Sequence, residues 1–335
     1  MTIKEVARLA GVSPAAVSRY LNGGPLSKDK KERVARAIEE TGYRPNLMAK
    51  TMRTGRVRQI GIIVPRIYSE SVNQLMEGMT EEFLAMDYLT VLGYSDTNSD
   101  RELQYLDTMQ NNRVAGIILM ATTLTDIKKS SLENCSVPLV ITGQSFDGLH
   151  CVYHDDFNAM RELTELFIRK GGKKFVYIGA PEADLAAGLA RREGAQEALR
   201  RAGFDAQQMP VRIANFNSQD GYAAMLELLE KYPDLDSVVC ATDVIAHGAM
   251  KALREKGRRV PEDVRIAGIG NNWADLVSQP ELTTVQLYQK RCGSEAARLL
   301  LKLIEREDEQ DAGRNNGAEP GNVMLSYRII ERGSV

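Results

Sequence analysis

The sequence predicts an α/β protein with two parts: an N-terminal three-helix head that contains a helix-turn-helix, and a larger core of two lobes built on parallel sheets. Apolar residues recur at helical spacing on both sides of a glycine within residues 2–22. From Gln59 onward, short apolar runs alternate with amphipathic segments, which is typical of β-α-β units. The roughly 277 residues after the head exceed what one sheet usually needs, so two lobes are expected.

The first two helices of the head are predicted from their apolar spacing and from the turn between them. Gly11 tolerates the positive φ of a tight turn, and Ser13 followed by Pro14 suits the N-cap and first position of the second helix. The open side of this second helix carries Pro14, Ala15, Ser18, Arg19 and Asn22. Two helices arranged in this way fit a DNA major groove, although an ordinary helical hairpin has the same short pattern.

The charge distribution favours the DNA-binding alternative. Residues 1–58 contain 13 lysines and arginines against 5 acidic residues, whereas the whole chain contains 43 basic and 45 acidic residues. The basic excess therefore belongs to the head, and the rest of the chain is acidic. Because basic side chains at a DNA backbone release condensed counterions, a head of this charge predicts salt-dependent binding to double-stranded DNA.

A third helix is predicted from Lys28 to Thr41, closed by Gly42. After it, Pro45 disfavours helix at the preceding residue, and Asn46 can cap a following helix of about two turns. A helix of this length is marginal alone in water, so it is expected to form only against a partner. The expected head, hinge helix with linker, and core are, in order, residues 1–45, 46–58 and 59–335.

Several motifs of the head resemble the LacI/GalR family of bacterial transcription regulators. The resembling segments are Thr2-Ile3-Lys4-Glu5-Val6-Ala7, Gly11-Val12-Ser13, Val17-Ser18-Arg19-Tyr20-Leu21-Asn22, Gly42-Tyr43-Arg44-Pro45-Asn46 and the stretch from Ala49 to Met52. The likeness continues through almost the whole chain. It implies a homodimeric, sequence-specific DNA-binding repressor that a small effector releases, with a periplasmic-binding-protein-like core. The sign of the effector's action stays open, because some members of the family bind DNA better with ligand.

In that family the second helix reads the major groove, and paired hinge helices insert an apolar residue into the minor groove. The residues that the resemblance assigns to DNA contact are Thr2, Ser13, Pro14, Ala15, Ala16, Ser18, Arg19, Asn22, Asn46 and Met52. Met52 stands where the family usually has Leu, which is a mild change because Met is also apolar and flexible. Since Pro14 and Ala15 cannot hydrogen-bond to a base edge, specificity is expected to depend on Arg19, thymine methyl groups and groove shape.

The core is predicted to contain a series of buried parallel strands. They are Ile60–Val64, Leu89–Leu92, Gly116–Met120, Leu139–Ile141, Phe175–Gly179, Val238–Ala241 and Ile266–Ile269. The lobes are expected to divide near Asp155–Asn158, and a last strand is expected near Val323–Ile330, after an exposed charged loop at 305–322. The resemblance implies two later crossings near residues 287 and 320. The first lobe would then comprise about 59–156 and 288–319, and the second about 157–287 and 320–332.

Ligands of open α/β sheets bind at the carboxyl ends of strands, so polar residues near those ends are candidates for a ligand site. In sequence order these are Arg66, Gln144, His154, Asp155, Arg191, Thr242 and Asp243. Phe216 and Trp273, each in a predicted loop, can stack on a sugar ring. Such groups suit a polyhydroxylated ligand, and two arginines suit an anionic one. Taken singly, Asp243 can equally be a helix N-cap, Arg191 a surface charge and either aromatic a packing residue.

The resemblance places four of these residues at positions that line the family's effector cleft: Asp155, Arg191, Phe216 and Asp243. The acid that the family usually carries after the strand at 266–269 is replaced by Gly270-Asn271, and Asn271 joins the expected effector-binding set. This pattern is most similar to the trehalose- and sucrose-operon repressors, some of which recognise sugar phosphates. With Arg66 also in the cleft, the expected effector is a disaccharide phosphate such as trehalose 6-phosphate or sucrose 6-phosphate, acting on a carbohydrate-utilisation operon.

Other functions are poorly supported by the sequence. Four cysteines and three histidines show no zinc-binding spacing, and residues 268–273 lack the last glycine of a dinucleotide-binding motif, so no metal and no cofactor are expected. No catalytic residue is assigned, although a sugar-binding protein or a sugar-modifying enzyme would also explain the core. Without a long apolar stretch, a signal peptide or a C-terminal heptad tail, a cytoplasmic homodimer with no membrane partner is expected.

Overall fold

The computed structural model describes residues 2–21, 24–43, 57–123, 126–311 and 321–335. The chain forms two compact units, Met1–Arg58 and Gln59–Val335, and each is described by itself. The predicted hinge helix, together with the predicted DNA contacts Asn22, Asn46 and Met52, lies outside the described residues.

Three helices form the head, as the sequence predicts: α1 (Ile3–Leu9), α2 (Pro14–Leu21) and α3 (Lys28–Thr41). Gly11 has a φ of 62° in the turn between α1 and α2, and Gly42 has a φ of 60° after α3, both in the left-handed region that glycine tolerates. Val6, Val17 and Val34, one from each helix, are fully buried in a common core. The helix-turn-helix is therefore held by the third helix.

The larger unit alternates strands and helices. Its elements are β1 (Val57–Val64), α4 (Glu70–Ala85), β2 (Leu89–Tyr94), α5 (Ser99–Asn111), β3 (Val114–Met120), α6 (Asp126–Glu133), β4 (Leu139–Thr142), β5 (His150–His154), α7 (Asp156–Arg169), β6 (Phe175–Gly179), α8 (Arg191–Arg201), β7 (Val211–Ile213), α9 (Ser218–Lys231), β8 (Ser237–Cys240), α10 (Asp243–Glu255), β9 (Arg265–Ala267), α11 (Trp273–Val277), β10 (Thr284–Leu287), α12 (Gln289–Asp311), β11 (Asn322–Leu325) and β12 (Tyr327–Ile330). A π-helical segment, Leu185–Ala190, leads into α8.

The first lobe is built on a six-stranded sheet with the order β11-β5-β4-β3-β1-β2. Strands β1 and β2, β3 and β4, β4 and β5, and β5 and β11 pair in parallel. Helices α4 and α12 cross closely, because a Cβ on Gly78 would lie 2.0 Å from the carbonyl oxygen of Lys290. This approach lets Met79 of α4 and Leu300 of α12 share one buried core with the strands.

The second lobe has a sheet of four parallel strands with the order β7-β6-β8-β9, and a separate antiparallel pair formed by β10 and β12. All residues of β6 and β8 are buried, as expected for parallel strands that are covered on both faces. Helices α7, α8, α9 and α10 contribute to the same hydrophobic core. The predicted α/β class is therefore confirmed.

The chain crosses between the lobes at three places: His154–Asp156, Leu287–Gln289, and Ser326 between β11 and β12. The third crossing lies later than the position expected near residue 320, because Asn322–Leu325 pairs with β5 in the sheet of the first lobe. The single last strand predicted near residues 323–330 is two strands in different sheets. Both halves carry similar apolar residues, so only their tertiary pairing distinguishes them.

Two further expectations about the elements are wrong. The segment Leu89–Leu92 is a strand, but it lies at the sheet edge, where its apolar side chains are exposed rather than buried. Trp273 begins helix α11 and does not lie in a loop. Strands β5, β7 and β10 were not predicted, because each lacks an apolar run long enough to indicate a strand.

Candidate functional site

Helix α2 has one exposed side on the surface of the head. The exposed residues there are Ser13, Pro14, Ala15 and Arg19, and Ser18 is half-buried. The Ser13 hydroxyl accepts the backbone N–H of Ala16 at 3.2 Å, which fixes the first turn of the helix. Ala16 is buried, so its side chain packs inside the head. The structure therefore does not support the expected contact between this side chain and DNA.

Thr2 has a local structural role at the beginning of α1. Its hydroxyl accepts the backbone N–H of Glu5 at 3.4 Å, and its own backbone N–H donates to the Glu5 carboxylate at 2.7 Å. This hydrogen bond lowers the pKa of Glu5. Thr2 therefore caps the helix, and it is exposed beside it.

Helix α3 adds cationic surface to the head. Its exposed lysines and arginines are Lys28, Lys30, Lys31, Arg33 and Arg36. Arg33 pairs with Asp29 at 3.0 Å, and both side chains are exposed. Four acidic residues are exposed on the same helix, Asp29, Glu32, Glu39 and Glu40, so the net charge of α3 is only weakly positive. The exposed pair between Arg33 and Asp29 is worth little to stability.

A cleft of about 200 Å³ lies between the two lobes of the core. It is lined by seven of the residues predicted for the effector: Arg66, Gln144, His154, Arg191, Phe216, Thr242 and Asp243. Further polar residues line it that the sequence analysis did not single out, among them Thr122, Thr142, Asp156 and Asp184. The cleft therefore lies at the carboxyl ends of strands from both sheets, where ligands of such sheets bind.

Arg191 is buried and paired. Its Nε and Nη2 atoms each lie 2.7 Å from Asp156 Oδ1, and its Nη1 donates to the carbonyl of Ala241 at 2.6 Å. The guanidinium thus joins the beginning of α7 to the end of β8. The alternative that Arg191 is a surface charge is wrong.

The acid of this pair is Asp156 and not Asp155. Asp155 caps α7, because its carboxylate accepts the Asn158 backbone N–H at 3.1 Å, and it does not line the cleft. The two aspartates follow one another at the first turn of the helix, where neighbouring side chains point in different directions. The expectation that Asp155 lines the cleft is therefore wrong, and the neighbouring Asp156 lines it.

Arg66 and Phe216 come from different lobes and meet inside the cleft. The guanidinium carbon of Arg66 lies 3.8 Å from the centroid of the Phe216 ring, which is a cation–π contact. Burial lowers the pKa of Arg66, and the nearby charge of Asp184 opposes that shift. Phe216 is therefore placed to cover a ligand that contacts Arg66.

Gln144 and Asp184 form a second contact between the lobes. The Gln144 amide donates to the carbonyl of Thr122 at 2.6 Å and to the Asp184 carboxylate at 3.3 Å. The same carboxylate accepts the backbone N–H of Ala187 and so caps the π-helical segment. Burial raises the pKa of Asp184, because its charged form is poorly solvated there.

Asp243 is almost completely buried and is held by hydrogen bonds. It accepts the Thr284 hydroxyl at 2.7 Å and the Asn271 backbone N–H at 2.5 Å. Burial and the neighbouring Asp275 raise its pKa well above the ordinary value. The helix N-cap is Thr242, whose hydroxyl accepts the backbone N–H of Ile245, so the N-cap alternative for Asp243 is wrong.

The structure gives a reason for Gly270, which stands where the resemblance predicts an acid. A Cβ on Gly270 would lie 2.6 Å from the Asp243 carboxylate, so a larger residue would displace that buried group. The following Asn271 has a φ of 53°, and its side chain bonds to Gln286 and Arg332. Asn271 therefore supports the strand ends. It does not line the cleft, so the expectation that it binds the effector is not supported.

Trp273 is also outside the cleft. It is 69% exposed at the beginning of α11, next to the exposed Leu276 and Val277. Of the two predicted aromatic residues, the structure brings Phe216 to the ligand cleft, and the expected stacking role of Trp273 is not supported.

Five polar atoms on the first-lobe wall of the cleft are buried without a hydrogen-bond partner in the part of the chain that the structure describes: Arg66 Nε, Thr122 Oγ1, Thr142 Oγ1, Gln144 Oε1 and His154 Nε2. They follow or end four strands, β1, β3, β4 and β5, which are neighbours in the sheet. Buried polar atoms are normally paired in folded proteins. We define this row of atoms as the polar wall, and it can accept and donate several hydrogen bonds to a ligand.

Two negative findings apply to the described ranges alone. Within them, no group of three or more His, Cys, Asp or Glu side chains is arranged to hold a metal ion. No helix there has both the length and the apolar character needed to cross a membrane.

Comparisons with known proteins agree with this architecture. Residues 2–46 match the family described as bacterial regulatory proteins, lacI family, and residues 164–335 match a periplasmic binding protein-like domain. The chain is 32% identical over 307 residues to the sucrose operon repressor of Staphylococcus xylosus, which covers 91% of this chain and 94% of that protein.

Two solved structures are similar over the whole chain. The transcriptional regulator CelR in complex with cellobiose has a TM-score of 0.76 at 28% identity, with 100% of both chains covered. The lac repressor dimer bound to operator and an anti-inducer has a TM-score of 0.89 at 21% identity, covering 100% of this chain and 98% of that one, and this likeness concerns the fold alone. A basic helix-turn-helix head, a two-lobed core and relatives that match nearly end to end lead to one conclusion: the chain belongs to the LacI family of bacterial regulatory proteins and is a DNA-binding regulator of transcription.

Proposed function

We propose that this regulator represses a carbohydrate-utilisation operon and is released from its operator by a sugar or sugar phosphate bound in the cleft. The polar wall carries the proposal. A buried polar atom without a partner costs about 1–3 kcal/mol, and the hydroxyl groups of a sugar would supply the missing hydrogen bonds. The sucrose operon repressor and the cellobiose-bound CelR, both similar to this chain, support the same class of ligand.

Within this class we propose a disaccharide phosphate, with trehalose 6-phosphate and sucrose 6-phosphate as the first candidates. Arg191 forms an ion pair with Asp156, whereas Arg66 forms no ion pair with any carboxylate among the described residues. A phosphate that reaches Arg66 can therefore take its guanidinium hydrogen bonds. Gly270 removes a carboxylate that would otherwise repel such a ligand.

Isothermal titration calorimetry of the full chain with trehalose 6-phosphate, sucrose 6-phosphate and the two free sugars tests the effector. We expect one phosphorylated sugar to bind at least about tenfold more tightly than its free counterpart, since tenfold is about 1.4 kcal/mol. Tighter binding of a free sugar, unchanged by Arg66→Ala, would contradict the phosphate proposal and leave the sugar class in place.

Selection of bound duplexes from a random pool tests the regulatory function. We expect a palindromic site whose binding weakens as salt rises and weakens again when the effector is added. If the effector strengthens operator binding instead, the effector acts as a co-repressor and not as an inducer. Affinity no greater than for a scrambled duplex, with and without sugars, would favour a sugar-binding protein or sugar-modifying enzyme without DNA regulation.

We also propose that the protein is a homodimer. Two surfaces of the core expose large apolar side chains: the edge strand β2 with Leu89, Val91 and Leu92, and helix α11 with Trp273, Leu276 and Val277. Contiguous apolar patches of this kind are uncommon on monomers and mark interaction sites. Sedimentation velocity should give a dimer that Leu92→Asp or Val277→Asp shifts toward monomer, and an unshifted sedimentation coefficient in both variants would contradict these surfaces.

The mechanism that we propose is linkage between effector and DNA. Two heads of one dimer bind two half-sites, and Met52 of each hinge helix wedges into the minor groove. Because a hinge helix of this length is marginal alone, a change in spacing between the two hinges would unfold it. We expect Met52→Gly to weaken operator binding while the head stays folded, and undiminished affinity would reject the wedge. We assign no catalytic activity and place the protein in the bacterial cytoplasm, at the nucleoid when bound to DNA.

A further inference from the structure

Lys128 and Glu102 form an ion pair inside the first lobe. Lys128 belongs to α6 and Glu102 to α5, and their side chains are 1% and 2% exposed. Neither residue lines the cleft, so direct contact with a ligand does not explain the pair.

Stability alone does not explain this pair either. Taking two charges out of water is costly, and apolar side chains that fill the same volume are often as stabilising or more so. A buried ammonium and a buried carboxylate differ from apolar side chains because they bond to particular polar groups. The groups to which Lys128 and Glu102 are bonded therefore indicate what the pair does.

The Lys128 ammonium holds the loop that follows β3. Besides its bond to Glu102, it donates to the carbonyl of Thr123 at 2.7 Å. Thr123 directly follows Thr122, whose hydroxyl oxygen belongs to the polar wall and whose carbonyl accepts the Gln144 amide at 2.6 Å. The ammonium thus fixes the backbone one residue away from the wall.

The Glu102 carboxylate connects the same pair to the ends of β1 and β2. It accepts the hydroxyl of Ser95, which follows β2, at 3.4 Å. The same hydroxyl lies 3.3 Å from the carbonyl of Val64, and the Ser95 backbone N–H donates to that carbonyl at 3.0 Å. Val64 stands two residues before Arg66, whose Nε atom belongs to the polar wall.

The loop after β2 has a backbone that needs such support. Asp96 and Thr97 have φ values of 54° and 57°, and the left-handed region is unfavourable for a β-branched residue such as Thr97. A strained conformation persists only where the surrounding contacts fix it. In this conformation the Thr97 backbone N–H donates to the carbonyl of Pro65 at 3.1 Å, immediately before Arg66.

We propose that the buried pair of Lys128 and Glu102 positions the Arg66 and Thr122 end of the polar wall and thereby sets the effector affinity. The proposal rests on the proposed function, because it assumes a ligand at the polar wall. Strands β3, β1 and β2 are consecutive in the sheet, so one pair braces three neighbouring strand ends. Lys128 and Glu102 are positioning residues, since they act through these strand ends and do not touch the ligand.

The double variant Glu102→Met with Lys128→Met separates positioning from stability. Two unbranched apolar side chains can fill the space but hold no backbone carbonyl. We expect its urea unfolding midpoint to equal or exceed that of the wild type. Lys128→Met alone should lower the midpoint, because Glu102 is then buried without its partner.

Calorimetry of the double variant with sucrose 6-phosphate and trehalose 6-phosphate measures the effect on the cleft. For whichever sugar phosphate the wild type binds, we expect at least about a tenfold loss of affinity, which corresponds to about one misplaced hydrogen bond. A purely structural role would not produce this loss in a variant that is as stable as the wild type.

Hydrogen–deuterium exchange of the ligand-free chain tests the positioning without a sugar. In the double variant, the backbone amides of Ser95 and Thr97 should exchange faster than in the wild type, because their loop opens more easily. Ser95→Ala is a milder variant that removes only the hydroxyl between Glu102 and Val64, and it should accelerate the Thr97 amide to a smaller extent. The amides of β6 in the second lobe should not change in either variant.

An exposed pair on the same helix provides the matched control. Lys129 and Glu133 of α6 lie 3.9 Å apart, with side chains 44% and 47% exposed. Glu133→Met with Lys129→Met makes the same chemical change at the surface. It should alter neither the effector affinity nor the exchange of the Ser95 and Thr97 amides, because an exposed pair fixes little.

The outcomes separate this proposal from the effector class. Unchanged effector affinity in the double variant would overturn the positioning role while the effector class stands. A double variant that loses as much stability as Lys128→Met would also overturn it, because the pair would then serve stability. If the wild type binds none of the sugars, the proposed effector class fails, and exchange at Ser95 and Thr97 still decides whether the pair holds the strand ends.

Discussion

Arg66 and Phe216 belong to different lobes, and the guanidinium of one lies on the ring of the other at 3.8 Å. A second contact, between Gln144 and Asp184 at 3.3 Å, joins the same lobes. Both contacts involve groups that line the ligand cleft. The lobes are therefore in contact through side chains that line the cleft, so a ligand that engages these side chains would act on both lobes.

Arg66→Ala should lower the affinity for the phosphorylated sugar by at least about tenfold and that for the free sugar by less, because the phosphate depends on the cation. Arg66→Lys should give an intermediate loss, since an ammonium lacks the planar fork of the guanidinium. Calorimetry measures both. Arg200→Ala, which removes an exposed arginine paired with Glu197, is the control and should change neither affinity.

Asp156→Asn should destabilise the core by about 3–5 kcal/mol, because Arg191 would keep its charge in a buried position without its partner. Urea unfolding followed by circular dichroism measures the change. Glu182→Gln breaks the partly exposed pair with Arg192 and should cost less than about 1 kcal/mol. Equal losses of unfolding free energy in both variants would show that the buried pair stabilises the core no more than the partly exposed pair.

The buried Asp243 predicts a stability that falls as pH rises. Its folded-state pKa is raised above the ordinary value of 3.8, so the folded protein binds more protons than the unfolded chain above that pH. Stability is therefore lost between about pH 4 and the raised pKa as the buried carboxyl ionises beside Asp275. Asp243→Asn should reduce this slope in urea unfolding measured from about pH 5 to about pH 8, and the remainder is expected from Asp184, whose pKa burial also raises.

The control for this slope is an exposed acid. Asp234 pairs with Lys174 on the surface, and that hydrogen bond lowers its pKa. Asp234→Asn should therefore leave the stability slope above about pH 5 unchanged, because the carboxylate is already ionised there in both states. If stability falls with pH as steeply in Asp243→Asn as in the wild type, another group causes the pH dependence.

Arg19 should carry direct base recognition in the head. Arg19→Ala is expected to cost about 1–3 kcal/mol at the selected operator and to relax specificity at one base pair per half-site. Lys31→Ala, on the exposed side of α3, should weaken binding to all duplexes about equally and reduce the salt slope. Fluorescence anisotropy at several salt concentrations separates the two effects, and a uniform loss in Arg19→Ala would make it a phosphate contact.

Much of the architecture was accessible from the sequence because it is coded locally. Helix α3 was predicted at its observed bounds from its apolar spacing and its closing glycine, and the turn between α1 and α2 from Gly11. The buried strands β1, β3, β4, β6 and β8 were visible as apolar runs. Most of the cleft residues were likewise predicted from their positions near strand ends, because parallel strands end at a common edge.

The errors arise where a residue's role depends on distant partners. Asp155 and Asp156 are equivalent in sequence, and the pairing of Arg191 with one of them follows from the packing of α7 against α8. Asn271 and Trp273 follow a strand as the cleft residues do, yet hydrogen bonds to Arg332 and the start of a helix direct them elsewhere. Asp184 was not predicted as a cleft residue. Its partner Gln144 lies in the other lobe, and no sequence pattern indicates that the two residues meet.

Charge, helical spacing and apolar runs are properties of short segments, and they were enough to predict the basic head, its helix-turn-helix, the α/β class of the core and the family. The folded chain was needed to show which strand ends face one another and which acid neutralises Arg191. It was also needed to show that Arg66, Gln144 and His154 present unpaired atoms to one cleft. Burial and hydrogen-bond pairing depend on neighbours that are far apart in the chain, and these neighbours are fixed only when the sheets and their crossings have formed.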